Sequence, residues 1–262
     1  MVQTFRQVEI IDVIRREGKI TVEDLADKFH VTLQTIRRDL SELADAGKIE
    51  RVHGGAILPS GTVNIAYEQR RNLNYDGKAL LARSCAAAIP HGSSVFINLG
   101  TTTEAVAREM LLHRDILVVT NNMNVANILI ANENCQVIVT GGSLRRSDAG
   151  LIGDVTMDTI ARFKFDYAII GCSALDEDGD ILDFDIQEVS VSKRILDQAR
   201  QVFLVADHVK FQRNAPARIG SLADVAQFFT DKPLPLKLTK ACREWGTEVS
   251  FGPDRPGTIE QP

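Results

Sequence analysis

The sequence predicts an α/β protein in two parts: a small winged helix-turn-helix unit at the N-terminus and a larger Rossmann-like domain on a mostly parallel sheet. Three observations predict it. The chain has 262 residues, more than one ordinary domain needs. Its first 58 residues hold three short helical patterns and then a Gly-Gly ribbon, and from residue 78 to 251 β-branched apolar runs alternate with helical stretches. A content of 44% hydrophobic and 25% charged residues allows a full core in the larger part.

In the first part, Phe5, Val8, Ile11 and Ile14 recur at helical spacing and Gly18 follows as a stop. Thr21, with Asp24 three residues on, opens a second helix through an acidic variant of the capping box; Leu25, Ala26 and Phe29 give it a buried face and His30 closes it. Thr32 caps a third helix running from Leu33 to about Ala46, with Val31 and Ile36 at the staple positions and Gly47 as its end. At 100° per residue Ile36, Leu40 and Leu43 share one stripe. Gln34, Arg38 and Ser41 point away from that stripe, and Thr35 and Arg37 flank it.

A short polar face of this kind suits the major groove of DNA, because Gln bonds adenine in two places, Arg does so with guanine, and Thr and the helix N-terminus meet phosphate. An ordinary solvated helix has the same pattern. The next residues, Lys48 to Leu58, shift the balance: they read as two short strands about a Gly-Gly turn, a wing whose Arg51 and His53 would reach phosphates or the minor groove. Charge totals do not help. Residues 1–57 carry nine basic against ten acidic side chains, and the whole chain has a net charge of -5, so DNA affinity must come from where the charges sit.

Residues 59–77, with Pro59, Ser60, Gly61, Asn64, Asn72, Asn74 and Gly77, read as a linker containing a short helix near Tyr67 to Arg71. Strands are expected at Ser94 to Leu99, Ile116 to Thr120, Gln136 to Thr140, Tyr167 to Gly171 and Val202 to Ala206. Ligands of open parallel sheets collect beyond the strands' carboxyl ends. Attention therefore falls on the Gly100, Thr101, Thr102, Thr103 turn, on Asn121, Asn122 and Asn124, on Arg145 and Arg146 beside the Gly141-Gly142 turn, and on Asp207 and Lys210. The threonine turn suits a phosphate but equally caps a helix, and the other polar turns also fit plain loop chemistry. An acidic hairpin (Asp176, Asp178, Gly179, Asp180) lacks the ligand spacing of a calcium loop and reads as a solvated turn.

No metal or cofactor is called for. Cys85, Cys135, Cys172 and Cys242 lie far apart, without a C-x-x-C pair, and are expected to be reduced. The chain shows neither an apolar run of membrane-spanning length nor a signal-peptide layout, so a cytoplasmic protein with no membrane partner is expected. Residues 252–262, rich in Pro and Gly, are expected to form a disordered tail.

The run TVEDLADKFHVTLQTIRRDLSEL (21–43), followed by GKIERVHGGA (47–56), resembles the DNA-binding signature of the DeoR family of bacterial repressors. The similarity continues to about residue 251 through LGTTT, TNNMNVAN, GGSLR, EVSVSKR and ADHVKF, which look most like the branch that represses glycerol-3-phosphate regulons. The resemblance implies a sensor domain similar in fold to ribose-5-phosphate isomerase, a phosphorylated effector with glycerol 3-phosphate foremost, and double-stranded operator DNA as partner. By position it implies DNA contacts from Thr32, Gln34, Thr35, Arg37, Arg38, Ser41, Arg51 and His53, with Asp39 orienting the neighbouring arginines. The effector would meet Gly100 to Thr103, Asn122, Arg145, Asp176, Glu188, Lys193, Asp207 and Lys210.

Where the family usually has ADSSK, this chain reads Ala206, Asp207, His208, Val209, Lys210. One reading helix buries too little for a selective genomic site, so a homo-oligomer, dimer or tetramer, is expected. The rival is a sugar-phosphate isomerase with a DNA-binding appendage, using Glu188 or Asp176 as base.

Overall fold

The computed structural model of the protein describes residues 5–17, 19–46, 48–52, 54–57, 64 and 66–252. Its N-terminal part is α1 (Phe5–Glu17), β1 (Lys19–Thr21), α2 (Val22–Phe29), α3 (Leu33–Asp45), β2 (Glu50–Val52) and β3 (Gly55–Ile57). Both expected caps are present: the Thr21 hydroxyl accepts the amide of Asp24 at 3.0 Å and that of Thr32 the amide of Thr35 at 3.2 Å. His30 ends α2 in the left-handed conformation at φ 52°. The expected stops at Gly18 and Gly47 lie outside the described residues.

Two details differ from expectation. Phe5 and Val8 are exposed, and α1 instead buries Gln7, Ile10, Ile11, Val13 and Ile14 against Leu25, Ile36, Leu40 and Leu43. The ribbon is a three-stranded antiparallel sheet in the order β1-β3-β2, because residues 19–21 pair with residues 55–57. Three residues are too few for a periodic signal, so β1 is set by its partner.

The chain then forms α4 (Tyr67–Asn72) and α5 (Tyr75–Ala87) and enters the large domain. There β4 (Ser94–Ile97), α6 (Thr101–Glu109), β5 (Ile116–Thr120), α7 (Met123–Leu129) and β6 (Cys135–Val139) are followed by the hairpin β7 (Ser143–Arg145) and β8 (Gly150–Ile152). After α8 (Asp154–Ile160) come β9 (Phe165–Ile170), the hairpin β10 (Ala174–Leu175) and β11 (Asp180–Asp183), α9 (Ile186–Gln198) and β12 (Ala199–Val205). The chain closes with β13 (Ala217–Ser221), β14 (Gln227–Thr230), α10 (Leu236–Trp245) and β15 (Glu248–Phe251).

Seven of these strands make one parallel sheet in the order β15-β14-β12-β9-β4-β5-β6, while β10, β11 and β13 form a small antiparallel sheet. The five expected strands all appear, and β14 and β15 extend the sheet beyond them. Alternation sorts the core: Val95 and Ile97 face α5, α6 and α7, whereas Phe96 faces α8 and α9. Among the described residues no helix is long and apolar enough to cross a membrane.

The strand order decides where a ligand can sit. From β4 the chain steps outward through β5 and β6, then returns to the other side of β4 and builds β9, β12, β14 and β15. The connections therefore diverge between β4 and β9, leaving a crevice at the strands' carboxyl ends.

Candidate functional site

Two surfaces bear chemistry. On α3, Gln34, Arg37 and Arg38 are exposed, and Thr32 and Thr35 stand at its start with their hydroxyls 2.9 Å apart. Arg38 has only a loose pair with Glu42 at 3.6 Å. Ser41 is more committed: its hydroxyl donates to the Arg37 carbonyl at 2.9 Å and accepts from Arg51 Nη1 at 2.9 Å, which ties the wing strand β2 to α3. His53 lies outside the described residues. Asp39 corrects an expectation. It is buried at 1% exposure and pairs with Arg6 Nε of α1 at 2.5 Å, so it fastens α3 to α1 and does not orient Arg37 or Arg38.

The second surface is the crevice between β4 and β9. Its wall includes Gly100, Thr101 and Thr102 after β4, Gly171 to Ser173 after β9, Asp183, Glu188 and Ser192, with Lys210 beyond β12. Gly100 has φ 135°, a conformation that glycine adopts without cost, and it lets the start of α6 face the crevice. Thr103 lies beneath that turn: its fully buried hydroxyl is 2.7 Å from the carbonyls of Asn98 and Gly100.

Cations and carboxylates share the wall of the crevice. Lys210 is 8% exposed, and among the described residues its ammonium has no hydrogen-bond or ion-pair partner. Burial lowers its pKa, the nearby Arg213 and Arg70 lower it further, and Asp207 acts in the opposite direction. Cys172 beside it is neutral, its thiol pushed up to about 12 by burial. Asp207 itself is buried, with Oδ1 accepting the Val209 amide at 3.0 Å and Oδ2 without a partner among the described residues. In the same wall Asp183 accepts the amides of Phe184 and Asp185, and Glu188 lines the crevice from the first turn of α9. Cations with buried, unsatisfied donors beside carboxylates suit a ligand that carries both an anionic group and hydroxyls.

Four expected effector residues are used differently. Arg145 is held by both oxygens of Asp148 (2.9 and 2.6 Å), by Asp185 at 2.5 Å and by Glu188; three carboxylates occupy its donors, so it braces the acidic wall. Asn122 is fully buried: Oδ1 accepts the amides of Asn124 and Val125 at the start of α7, and Nδ2 donates to Glu104. Asp176 lies in the β10–β11 turn, accepting the amides of Asp178 and Asp180, away from the crevice. Lys193 is exposed, because a helix that turns Glu188 and Ser192 inward turns the residue after Ser192 about 100° away. Neither residue expected to act as an isomerase base is free for it: Asp176 is in a turn and Glu188 is paired with Arg145.

The sequence reading missed Arg70, Asp148, Asp183 and Arg213. Arg70 sits in the stretch expected to be a linker, where a six-residue helix with no buried residue gives no apolar period. Its trace in the sequence is the Arg70-Arg71 pair.

Residues 6–62 match the DeoR-like helix-turn-helix domain and residues 73–232 the DeoR C terminal sensor domain. The chain is 44% identical to the glycerol-3-phosphate regulon repressor of Escherichia coli K12, over 91% of this chain and 94% of that one. It is similarly 44% identical to the repressor of that name in Haemophilus influenzae (88% and 90%) and 37% identical to the transcriptional repressor CsqR of Escherichia coli K12 (93% and 94%). Among solved structures it is similar to the sorbitol operon regulator SorC from Klebsiella pneumoniae, at 12% identity and TM-score 0.43 over 86% of this chain and 95% of that one. With both halves matched in order and nine-tenths of the chain aligned to named repressors, the protein belongs to the DeoR family of transcriptional repressors.

Proposed function

We propose that this protein is a cytoplasmic, homo-oligomeric repressor, dimer or tetramer, of a glycerol or carbohydrate catabolic operon, released from double-stranded operator DNA by a phosphorylated polyol, glycerol 3-phosphate foremost. The observation that carries the effector half is the Lys210 ammonium, buried and without a partner beside the Gly100–Thr102 turn. A buried cation that no carboxylate contacts directly and that Asp207 offsets only in part is costly, and an entering phosphate removes that cost. The Thr102 hydroxyl and the first amides of α6 add donors to the same group, while Asp183 and Glu188 accept from hydroxyls. For the DNA half, Gln34, Arg37 and Arg38 are exposed on α3 and would read bases, and Thr32, Thr35 and Arg51 would meet the flanking phosphates.

Release follows from differential affinity. To weaken operator binding a hundredfold, the effector must prefer the non-binding arrangement by about 2.7 kcal/mol. Fluorescence anisotropy of duplexes upstream of the protein's own and neighbouring genes tests this. Tight binding without ligand and release by glycerol 3-phosphate, but not by glycerol, is expected. No binding to any such duplex at low salt, or indifference to every phosphorylated polyol, would overturn the reading. Replacing Gln34 by Ala should cost about 1 to 3 kcal/mol and relax base preference at one position per half-site in a gel-shift competition.

A further inference from the structure

Arg70 lies on α4, between the helix-turn-helix match that ends at residue 62 and the sensor match that begins at residue 73. Its guanidinium nevertheless lines the crevice with Lys210 and Thr101. Nη2 meets Asp148 Oδ2 at 3.3 Å, a single long contact to a carboxylate that Arg145 already grips twice. Nε is buried and without a partner among the described residues. The Arg70 carbonyl accepts from the buried Lys78 ammonium and, at 3.3 Å, from the Thr101 hydroxyl of the phosphate turn.

The neighbouring residues are tied to the same place. Tyr67 donates to the buried Glu104 at 2.8 Å, and Asn64 donates to Ser173 in the crevice wall at 2.9 Å while accepting from Arg213 at 2.5 Å.

We propose that Arg70 is an anion ligand of the effector crevice, and that residues 66–72 together with Asn64 form a strap through which a bound phosphate monoester acts on the wing, whose strand β3 ends at Ile57, thirteen residues before Arg70. The proposal rests on the crevice taking a phosphorylated effector. Three phosphate oxygens can engage Nε and Nη2 of Arg70 together, which Asp148 does not do at present. The exchange leaves Asp148 satisfied by Arg145, so little opposes it. A dianion also needs more than one positive charge, and Arg70 provides the second next to Lys210. Any shift of Arg70 toward the ligand moves a segment joined by peptide bonds to the wing.

The chemistry is that of a phosphate group, whether in a monoester or as free inorganic phosphate. Calorimetry on the full chain should use glycerol 3-phosphate, inorganic phosphate and glycerol, paired with anisotropy of a labelled operator. For Arg70→Ala the expected result is a loss of glycerol 3-phosphate affinity on the order of thirtyfold, the scale of a charge-assisted contact, with release from the operator at saturating ligand impaired. Asp148→Asn frees Arg70 and removes a carboxylate that repels the anion, so it should bind glycerol 3-phosphate several-fold more tightly, a gain that a damaged fold does not give. Binding of inorganic phosphate as tightly as the monoester would overturn the effector assignment within the strap. If the wild type binds the monoester and Arg70→Ala binds it equally well, or Asp148→Asn weakens it, the strap is wrong and the effector crevice stands. If the wild type binds no phosphate compound, the proposed function falls and the strap with it.

Discussion

Lys210 sits where a stability optimum would put a neutral side chain. At 8% exposure its charge is desolvated, and the nearby Arg70 and Arg213 add repulsion that Asp207 only partly offsets. Replacing it by Met keeps much of the volume and removes the charge. The ligand-free variant should be more stable than the wild type by about 1 to 3 kcal/mol, while the melting-temperature rise that glycerol 3-phosphate gives the wild type disappears. A variant less stable than the wild type that keeps the ligand-induced rise would refute the role given to this side chain. Lys210 and the threonine turn were legible because they stand in short motifs next to strand ends. Arg145 was legible as a charge, but its partners Asp185 and Glu188 come from forty and more residues away, and no local pattern says that they consume it.

Among the elements, the wing shows how tightly short strands depend on their neighbours. Gly54 has φ 76° with open space where a Cβ would stand, whereas a Cβ on Gly55 would lie 2.0 Å from the Ile20 carbonyl oxygen of β1. The two adjacent glycines therefore have different jobs. Gly54→Ala should cost about 1 kcal/mol for its left-handed backbone, and Gly55→Ala should break the β1–β3 pairing, which the loss of amide protection at residues 19–21 and 55–57 in hydrogen exchange would show. Equal, small effects of both substitutions would contradict the close approach. The sequence marked a Gly-Gly turn; that the second glycine is a strand residue under β1 follows only from the pairing.

For the whole molecule, Asp231 after β14 joins three separate segments. It accepts the His208 amide at 2.7 Å, His208 Nδ1 at 2.8 Å and Asn74 Nδ2 at 2.8 Å, and so fastens the start of α5 to the loop that carries Lys210. Burial raises its pKa, but the bonds from His208 and Asn74 together outweigh burial and hold it down at about 2. A carboxyl depressed in this way stabilises the fold wherever it is ionised in both states, so its contribution is complete above its unfolded value near 4 and is lost as pH falls toward 2. The contribution is up to about 2 kcal/mol. Urea unfolding of wild type and Asp231→Asn should show the largest gap near pH 6 and a shrinking gap from pH 4 downward. A gap independent of pH would mean that the carboxylate charge contributes nothing.

By itself the sequence determined the helices of the N-terminal part, five of the seven strands of the parallel sheet, the family and the polar turns at the strand ends. These follow from local physics: apolar periodicity, caps such as Thr21 and Thr32, and glycine at strand ends all act within a few residues. Only the tertiary structure decided which polar side chains meet. It spent Arg145, Asn122 and Asp39 on partners from other elements, left Lys210 without a partner among the described residues, and folded a stretch that reads as linker into the wall of the crevice. Electrostatic partners are chosen across strand crossings and between distant loops, and that choice depends on distances which residue types and spacing do not encode.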